Sequence, residues 1–243
     1  MAEECAEVCG VVALLADGGG SLDWSLVSVV NGLAKSLPHA VDTALAFMGE
    51  YGVPLASVLL LLFAWARARR GTAAPVAVAG LLWAGLASGL ALLLNVPVRA
   101  MVQRPRPFVS HPGRLDLLMS HQANGSFVSD HATFTMALAV GVMLVDRRLG
   151  RIGIGLAFVE GFLRVFMGVH YPSDVLGGYA LGTATVLLLA PVAMAVLTPF
   201  THALTRTGLR PLVLASTTSR GRAATSEPQP SGTTEEPPHH LAA

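Results

Sequence analysis

The chain has 243 residues, 53% of them hydrophobic and 13% charged, with a net charge of +1 and a mean hydropathy of +0.59. That balance excludes an ordinary soluble domain of this size and sets most of the chain against lipid. A net charge so close to zero does not select a partner, and nucleic acid is not expected as one.

Residues 1–23 read as a flexible external tail that ends in the Gly-rich stretch 18–20. The only cysteines, Cys5 and Cys9, fall in it; a bridge and two free thiols are both open, and neither is given a catalytic role. The apolar run 11–16 has no basic flank, so no cleavable signal peptide is expected and the first span serves as an uncleaved signal. The mixed segment 24–36 suits an interfacial helix. So does 38–50, which carries Asp42 and Glu50 and would be a sixth span if it inserted.

A spanning helix needs about 20 mainly apolar residues. Five stretches meet or approach that length: 51–66, 73–98, 131–145, 152–169 and 174–198. The small residues of GLASGLA at 85–91 and of 177–184 suit close helix packing. No internal repeat is visible, so an inverted-repeat transporter lacks support. The expected fold is all-α, a polytopic membrane helix bundle with five or six transmembrane helices over 24–200. Residues 201–243 form a cytoplasmic, largely disordered tail, rich in Thr, Ser, Pro and Glu beyond 217.

The cations set the orientation. Fifteen of the sixteen basic residues are Arg, and Lys35 is the sole Lys. Arg67, Arg69 and Arg70 follow the first span; Arg147, Arg148 and Arg151 the third; Arg206, Arg210, Arg220 and Arg222 the last. The positive-inside rule makes these segments cytoplasmic. The N-terminal stretch, with Glu3, Glu4, Glu7, Asp17 and Asp23 and no cation before Lys35, then lies outside. Loop 99–130 also falls outside, yet it holds Arg99, Arg104, Arg106 and Arg114 where cations should be depleted. Guanidinium groups there suit an anion such as phosphate.

Three polar clusters sit at membrane boundaries, all on that same face. The first is Arg99, six residues, then Arg106-Pro107, within RAMVQRPRPF. The second is Phe127-Val128-Ser129-Asp130-His131. The third is Arg164, five residues, His170, three residues, Asp174, within LRVFMGVHYPSD. A lone histidine at a helix end is ordinarily a surface residue; two, each adjoining a correctly spaced Asp, Ser or Arg, are not.

Over about 95–178 the sequence resembles the type 2 phosphatidic acid phosphatase superfamily, with its Lys-x6-Arg-Pro, Pro-Ser-Gly-His and Ser-Arg-x5-His-x3-Asp pattern. RPRPF, GSFVSDHA and GVHYPSDVLGG are most similar to the bacterial BcrC-type undecaprenyl-diphosphatase branch, where Ser-Asp-His replaces Ser-Gly-His. Arg99 stands for the Lys, Val128 for the Pro and Leu163 for the Ser. Arg99 keeps the charge, whereas Leu163 removes one hydroxyl donor.

The resemblance implies hydrolysis of a polyprenyl (undecaprenyl or decaprenyl) diphosphate to the monophosphate through a phosphohistidine, for recycling of a cell-envelope carrier. The alternatives are another lipid phosphate, namely phosphatidic acid, phosphatidylglycerol phosphate or a prenyl-phosphoryl sugar phosphate. A non-catalytic lipid or anion transporter is a further alternative, and it leaves the histidines unexplained. The partners expected are the lipid phosphate or diphosphate and membrane lipids; oligomeric state is open. The protein is expected as a multi-pass plasma-membrane phosphatase with an extracytoplasmic site.

Phosphoryl transfer needs positioning and positive charge around the equatorial oxygens. Arg99, Arg106 and Arg164 supply that charge, and Ser129, at a helix start, adds its hydroxyl and the first free amides. Asp130 is grouped with them, to cap or orient. His170 is the candidate nucleophile, Asp174 the acceptor that fixes its tautomer, and His131 the acid that protonates the departing oxygen and later activates water. Glu160, four residues before Arg164, is expected to pair with and orient it. Arg104 and Arg114 reach a second phosphate or anionic headgroups. His111 and His121 read as loop residues. No metal or other cofactor is expected, since Asp116 and Asp130 are the loop's only acids.

Overall fold

The computed structural model describes residues 20–119 and 124–215, and every regular element among them is helical. Cys5, Cys9, His121, Arg220, Arg222 and the stretch 217–243 lie outside the described residues. In chain order the helices are α1 (Gly20–Gly32), α2 (His39–Phe47), α3 (Val53–Ala68), α4 (Ala74–Val102), α5 (Asp130–Val145), α6 (Arg147–Phe166) and α7 (Pro172–Leu204). Short helical turns at Pro107–Ser110 and Arg210–Val213 complete the set.

Each of the five apolar stretches folds as one of the helices α3 to α7. Three helical stretches, His39–Ala68, Ala74–Ser110 (broken at 103–106 by a left-handed Gln103) and Pro172–Leu204, are long and apolar enough to cross a membrane, and α5 is a shorter apolar helix. Large apolar side chains point outward along these helices, among them Leu59 and Phe63 of α3, Leu86 and Leu93 of α4, Phe158 and Phe162 of α6 and Leu188 and Val192 of α7. An outer surface this apolar is stable only against lipid. The protein is an all-helical membrane bundle.

Helix α5 is its centre. It packs on α3, α4, α6 and α7, and ten consecutive or near-consecutive positions from Ala132 to Val142 are buried. A short helix that is apolar all round has no solvent face to present and belongs inside. Gly178 and Gly182 let α7 come close to it: a Cβ at Gly182 would meet the Thr133 carbonyl oxygen at 2.5 Å, and one at Gly178 the Ser129 carbonyl oxygen at 2.8 Å. The small residues of 177–184 therefore serve packing. In GLASGLA it is Ala87, Ser88 and Ala91 that are buried, whereas Gly89 faces open space.

Two expectations about the N-terminal part change. Segment 38–50 is not a separate helix. It runs into α3 through a π-helical turn, Met48–Gly52, as one helical stretch. Helix α1 begins at Gly20, inside the stretch read as tail, and docks on the bundle. Asp23, Val27 and Asn31 recur every four residues and so share one stripe; they are 5%, 0% and 1% exposed. Asn31 donates from Nδ2 to the Phe166 and Asp116 carbonyls at 2.8 and 2.9 Å and accepts the Asp116 N–H at 2.8 Å. Trp24 stacks on His111 with ring centres 3.6 Å apart.

The functional clusters gather at one end of the bundle, where α4 ends and α5 and α7 begin. At the opposite end Arg67 pairs with Asp146 at 3.3 Å, and Asp146 caps α6 by accepting the N–H groups of Arg148 and Leu149.

Candidate active site

The site is assembled from helix ends. Helix α7 starts at Tyr171 with Pro172 in its first turn, a position where the missing N–H costs nothing. Asp174 accepts the Tyr171 N–H at 2.8 Å on Oδ2, so the residue that caps the helix also faces the preceding loop. In that loop sits His170, 2% exposed. Its Nδ1 lies 3.7 Å from Asp174 Oδ2, longer than a hydrogen bond and close enough for strong electrostatic coupling. Its Nε2 lies 3.3 Å from Arg106 Nη1. Arginine can only donate, so Nε2 carries the lone pair and Nδ1 the proton. Burial drives the His170 pKa from 6.5 down to about 4, with Asp174 opposing and Arg106 and Arg164 reinforcing. The imidazole is neutral at neutral pH.

Arg106 is held by Asn124 Oδ1 at 2.9 Å and the Val169 carbonyl at 3.1 Å. Arg99 and Arg164 both act electrostatically on it. Three guanidinium groups around one small volume repel one another, and an anion relieves that repulsion. Ser129 precedes α5 in extended backbone; it is fully buried, and its Oγ has no hydrogen-bond partner. Its N–H donates to the Asp174 carbonyl at 3.1 Å, tying the start of α5 to the start of α7.

Several residues stand elsewhere than the sequence suggests. Asp130, grouped with the phosphate contacts to cap or orient, pairs with Arg99 at 2.6 Å and accepts from Asn95 Nδ2 at 2.6 Å, so it anchors a cation. Arg104, read as reaching a second phosphate or headgroups, is committed to Asp174, Ser173 and Asp23. Glu160 does pair with Arg164, loosely at 4.0 Å, and Glu50, from the π-helical turn, pairs with it more closely at 2.8 Å. The extra residue of that turn re-aims the chain. His131 Nε2 lies 3.4 Å from the Glu50 carbonyl oxygen, which sets His131 beside the Glu50 and Arg164 pair.

Contributors that went unassigned in the sequence include Asp23, Glu50, Asn95, Asn124, Ser126 and Ser173. Asn95 is fully buried and bonds both Asp130 and the Val128 carbonyl; a lone amide inside an apolar span was its signal. Ser126, whose hydroxyl donates to Asp174, gave none. Beside the site a pocket of about 470 Å³ is lined by Val96, Arg99, Gln103, Arg104, Asn124 and Gly125, among others.

The PAP2 superfamily pattern matches residues 80–198. BcrC of Bacillus subtilis (strain 168), an undecaprenyl-diphosphatase, is 30% identical over 156 residues, 64% of this chain and 76% of that protein. This chain belongs to the PAP2 superfamily. YbjG of Escherichia coli (strain K12) is 33% identical over 67% of the chain and 78% of its own length. The crystal structure of a transmembrane PAP2-type phosphatidylglycerolphosphate phosphatase from Bacillus subtilis shares the fold, with a TM-score of 0.55 at 20% identity, covering 78% of this chain and 94% of that one. The protein is thus a PAP2 membrane phosphatase.

Proposed function

We propose that this PAP2 phosphatase hydrolyses a polyprenyl diphosphate to the monophosphate and inorganic phosphate at the outer face of the plasma membrane, recycling a cell-envelope lipid carrier. The substrate class follows from the Ser129-Asp130-His131 signature and from the name of the BcrC relative. One observation carries the chemistry: a buried neutral imidazole whose Nε2 lone pair faces Arg106 at 3.3 Å while its Nδ1 faces Asp174 at 3.7 Å.

In the first step Nε2 of His170 attacks the terminal phosphorus and the bond to the bridging oxygen breaks. Arg99, Arg106, Arg164 and the Ser129 hydroxyl hold the equatorial oxygens, where charge concentrates. His131 donates its proton to the departing lipid phosphate. Asp174 stabilises the ring as Nε2 gives up its electron pair. In the second step water attacks the phosphohistidine, His131 takes its proton, the P–N bond breaks, and His170 is restored. The guanidinium groups supply the positive charge the transfer needs, so the reaction is expected to run in chelator.

Charge supports the outward orientation. Arg67, Arg69, Arg147, Arg148, Arg151, Arg206 and Arg210 cluster near the ends of α3, α5 and α7 opposite the motifs, and such clusters stay cytoplasmic.

Phosphate release from a detergent-solubilised panel of prenyl diphosphates and glycerolipid phosphates, with and without chelator, tests the proposal. Fastest turnover of the long prenyl diphosphates is expected. Preference for phosphatidic acid or phosphatidylglycerol phosphate would move the substrate, and no release from any member would refute the enzyme.

A further inference from the structure

Asp174 is more completely engaged than an orienting carboxylate needs to be. It is fully buried. Arg104 Nη1 donates to its Oδ1 at 2.9 Å, and the Tyr171 N–H and the Ser126 hydroxyl both donate to Oδ2. A buried carboxylate stays ionised only when a cation and hydrogen bonds compensate its lost hydration. Arg104 is that cation.

Arg104 is held in turn. Its Nη2 donates to Asp23 Oδ2 at 2.8 Å, its Nη1 reaches Ser173 Oγ at 2.6 Å, and its guanidinium lies 4.0 Å over the Tyr171 ring. Asp23 accepts the Ser173 hydroxyl and, at 3.2 Å, the Ser173 N–H. The side chains of Arg104 and Asp23 are 10% and 7% exposed. Both terminal nitrogens of Arg104 are thus spent on carboxylates and a hydroxyl, which suits holding an acid and not gripping a phosphate. Asp23 belongs to α1, a helix outside the three motif segments, whose stripe of Val27 and Asn31 fixes its height against α6 and α7.

We propose that Asp23 and Arg104 are positioning residues for Asp174, so that α1 forms a clasp which sets the acid behind the His170 imidazole. The inference rests on the phosphatase reading above. Neither residue touches substrate. Each acts through Asp174, and the chain of contacts runs Asp23, Arg104, Asp174, His170.

The test uses the full chain in detergent with a prenyl diphosphate that the wild type turns over. Asp23→Asn should lower kcat by about tenfold, on the order of an outer-sphere orienting partner, with KM within about twofold. Arg104→Gln should lose more, and Arg104→Lys should recover part of the difference. The double variant Asp23→Asn/Asp174→Asn should be no slower than Asp174→Asn alone, because both changes act on one acid. Ser173→Ala, which leaves the Asp23–Arg104 pair in place, should lose less than Asp23→Asn and guards against a variant that fails to fold.

A rise in KM with kcat preserved in Arg104→Gln would make that residue a phosphate ligand and overturn the proposal. So would wild-type kcat in Asp23→Asn, or additive losses in the double variant. If the wild type itself releases no phosphate, the phosphatase reading falls. The clasp is then judged by NMR titration of the His170 ring carbons, which Arg104→Gln and Asp23→Asn must both perturb; unchanged titration in both variants would refute it.

Discussion

Nε2 of His170 and Nη1 of Arg106 face each other at 3.3 Å inside a buried pocket. The contact fixes the tautomer and puts a cation where the oxygens of an incoming phosphoryl group must lie. It also opposes protonation of the ring, adding to the effect of burial that carries the His170 pKa from 6.5 to about 4.

A pH dependence follows. Between about 4 and 6.5 the unfolded chain binds a proton at His170 that the folded protein does not. Stability from this residue is therefore fully present above pH 6.5 and declines as pH falls toward about 4. The thermal midpoint in detergent should drop over that window, and His170→Gln should flatten the dependence. The acid limb of kcat/KM assigned to the nucleophile should lie below 6.5; an acid limb above that value would contradict a neutral buried imidazole.

Arg99 sits at the end of α4 with Asp130 at 2.6 Å. Since the position needs a cation, Arg99→Lys should keep much of the activity. Arg99→Ala should lose about 10²- to 10³-fold, the scale of one preorganised anion-stabilising donor. Asp130→Asn frees Arg99 and should raise KM more than it lowers kcat. Equal near-wild-type rates for the Lys and Ala variants would make Arg99 a bystander.

The two acids near Arg164 should behave differently. Glu50 bonds it at 2.8 Å, whereas Glu160 stands at 4.0 Å and neither of its carboxylate oxygens has a hydrogen-bond partner. Glu50→Gln should cost about 2 kcal/mol, less than a fully buried pair because its side chain is 21% exposed. Glu160→Gln should be near neutral, since it removes a buried carboxylate that makes no hydrogen bond. Thermal unfolding of both variants settles the order.

The helices and the three motifs were legible in the sequence because apolar length and charge spacing are local properties. All five apolar stretches became helices, and Arg106 of the first cluster and Arg164 of the third both act on His170. What was not legible depends on how distant segments dock. Glu160 was the natural partner for Arg164 at helical spacing and does pair with it, loosely at 4.0 Å, but a π-helical turn more than a hundred residues upstream adds the closer Glu50 at 2.8 Å. Arg104 read as a contact for a second phosphate or for anionic headgroups because its partner Asp23 lies in a stretch that, by composition, looked like a tail. A local pattern cannot reveal either contact.

Orientation is tested by single cysteines at the exposed positions Arg114 and Arg148, in a background lacking Cys5 and Cys9. An impermeant thiol reagent on intact cells should label 114 and spare 148. The reverse pattern would turn the site to the cytoplasm.

The central claim is that His170 becomes phosphorylated, and rapid-quench analysis with an activated aryl phosphate addresses it most directly. An aryl oxygen of low pKa leaves without help, so His131→Ala should still complete the first step and then stall, for want of the base that activates water. A burst is expected in that variant, with acid-labile, alkali-stable phosphate on His170, and none in His170→Ala. A burst that survives in His170→Ala and vanishes in His131→Ala would reverse the two roles, and no covalent phosphate in any variant would replace the nucleophile with water.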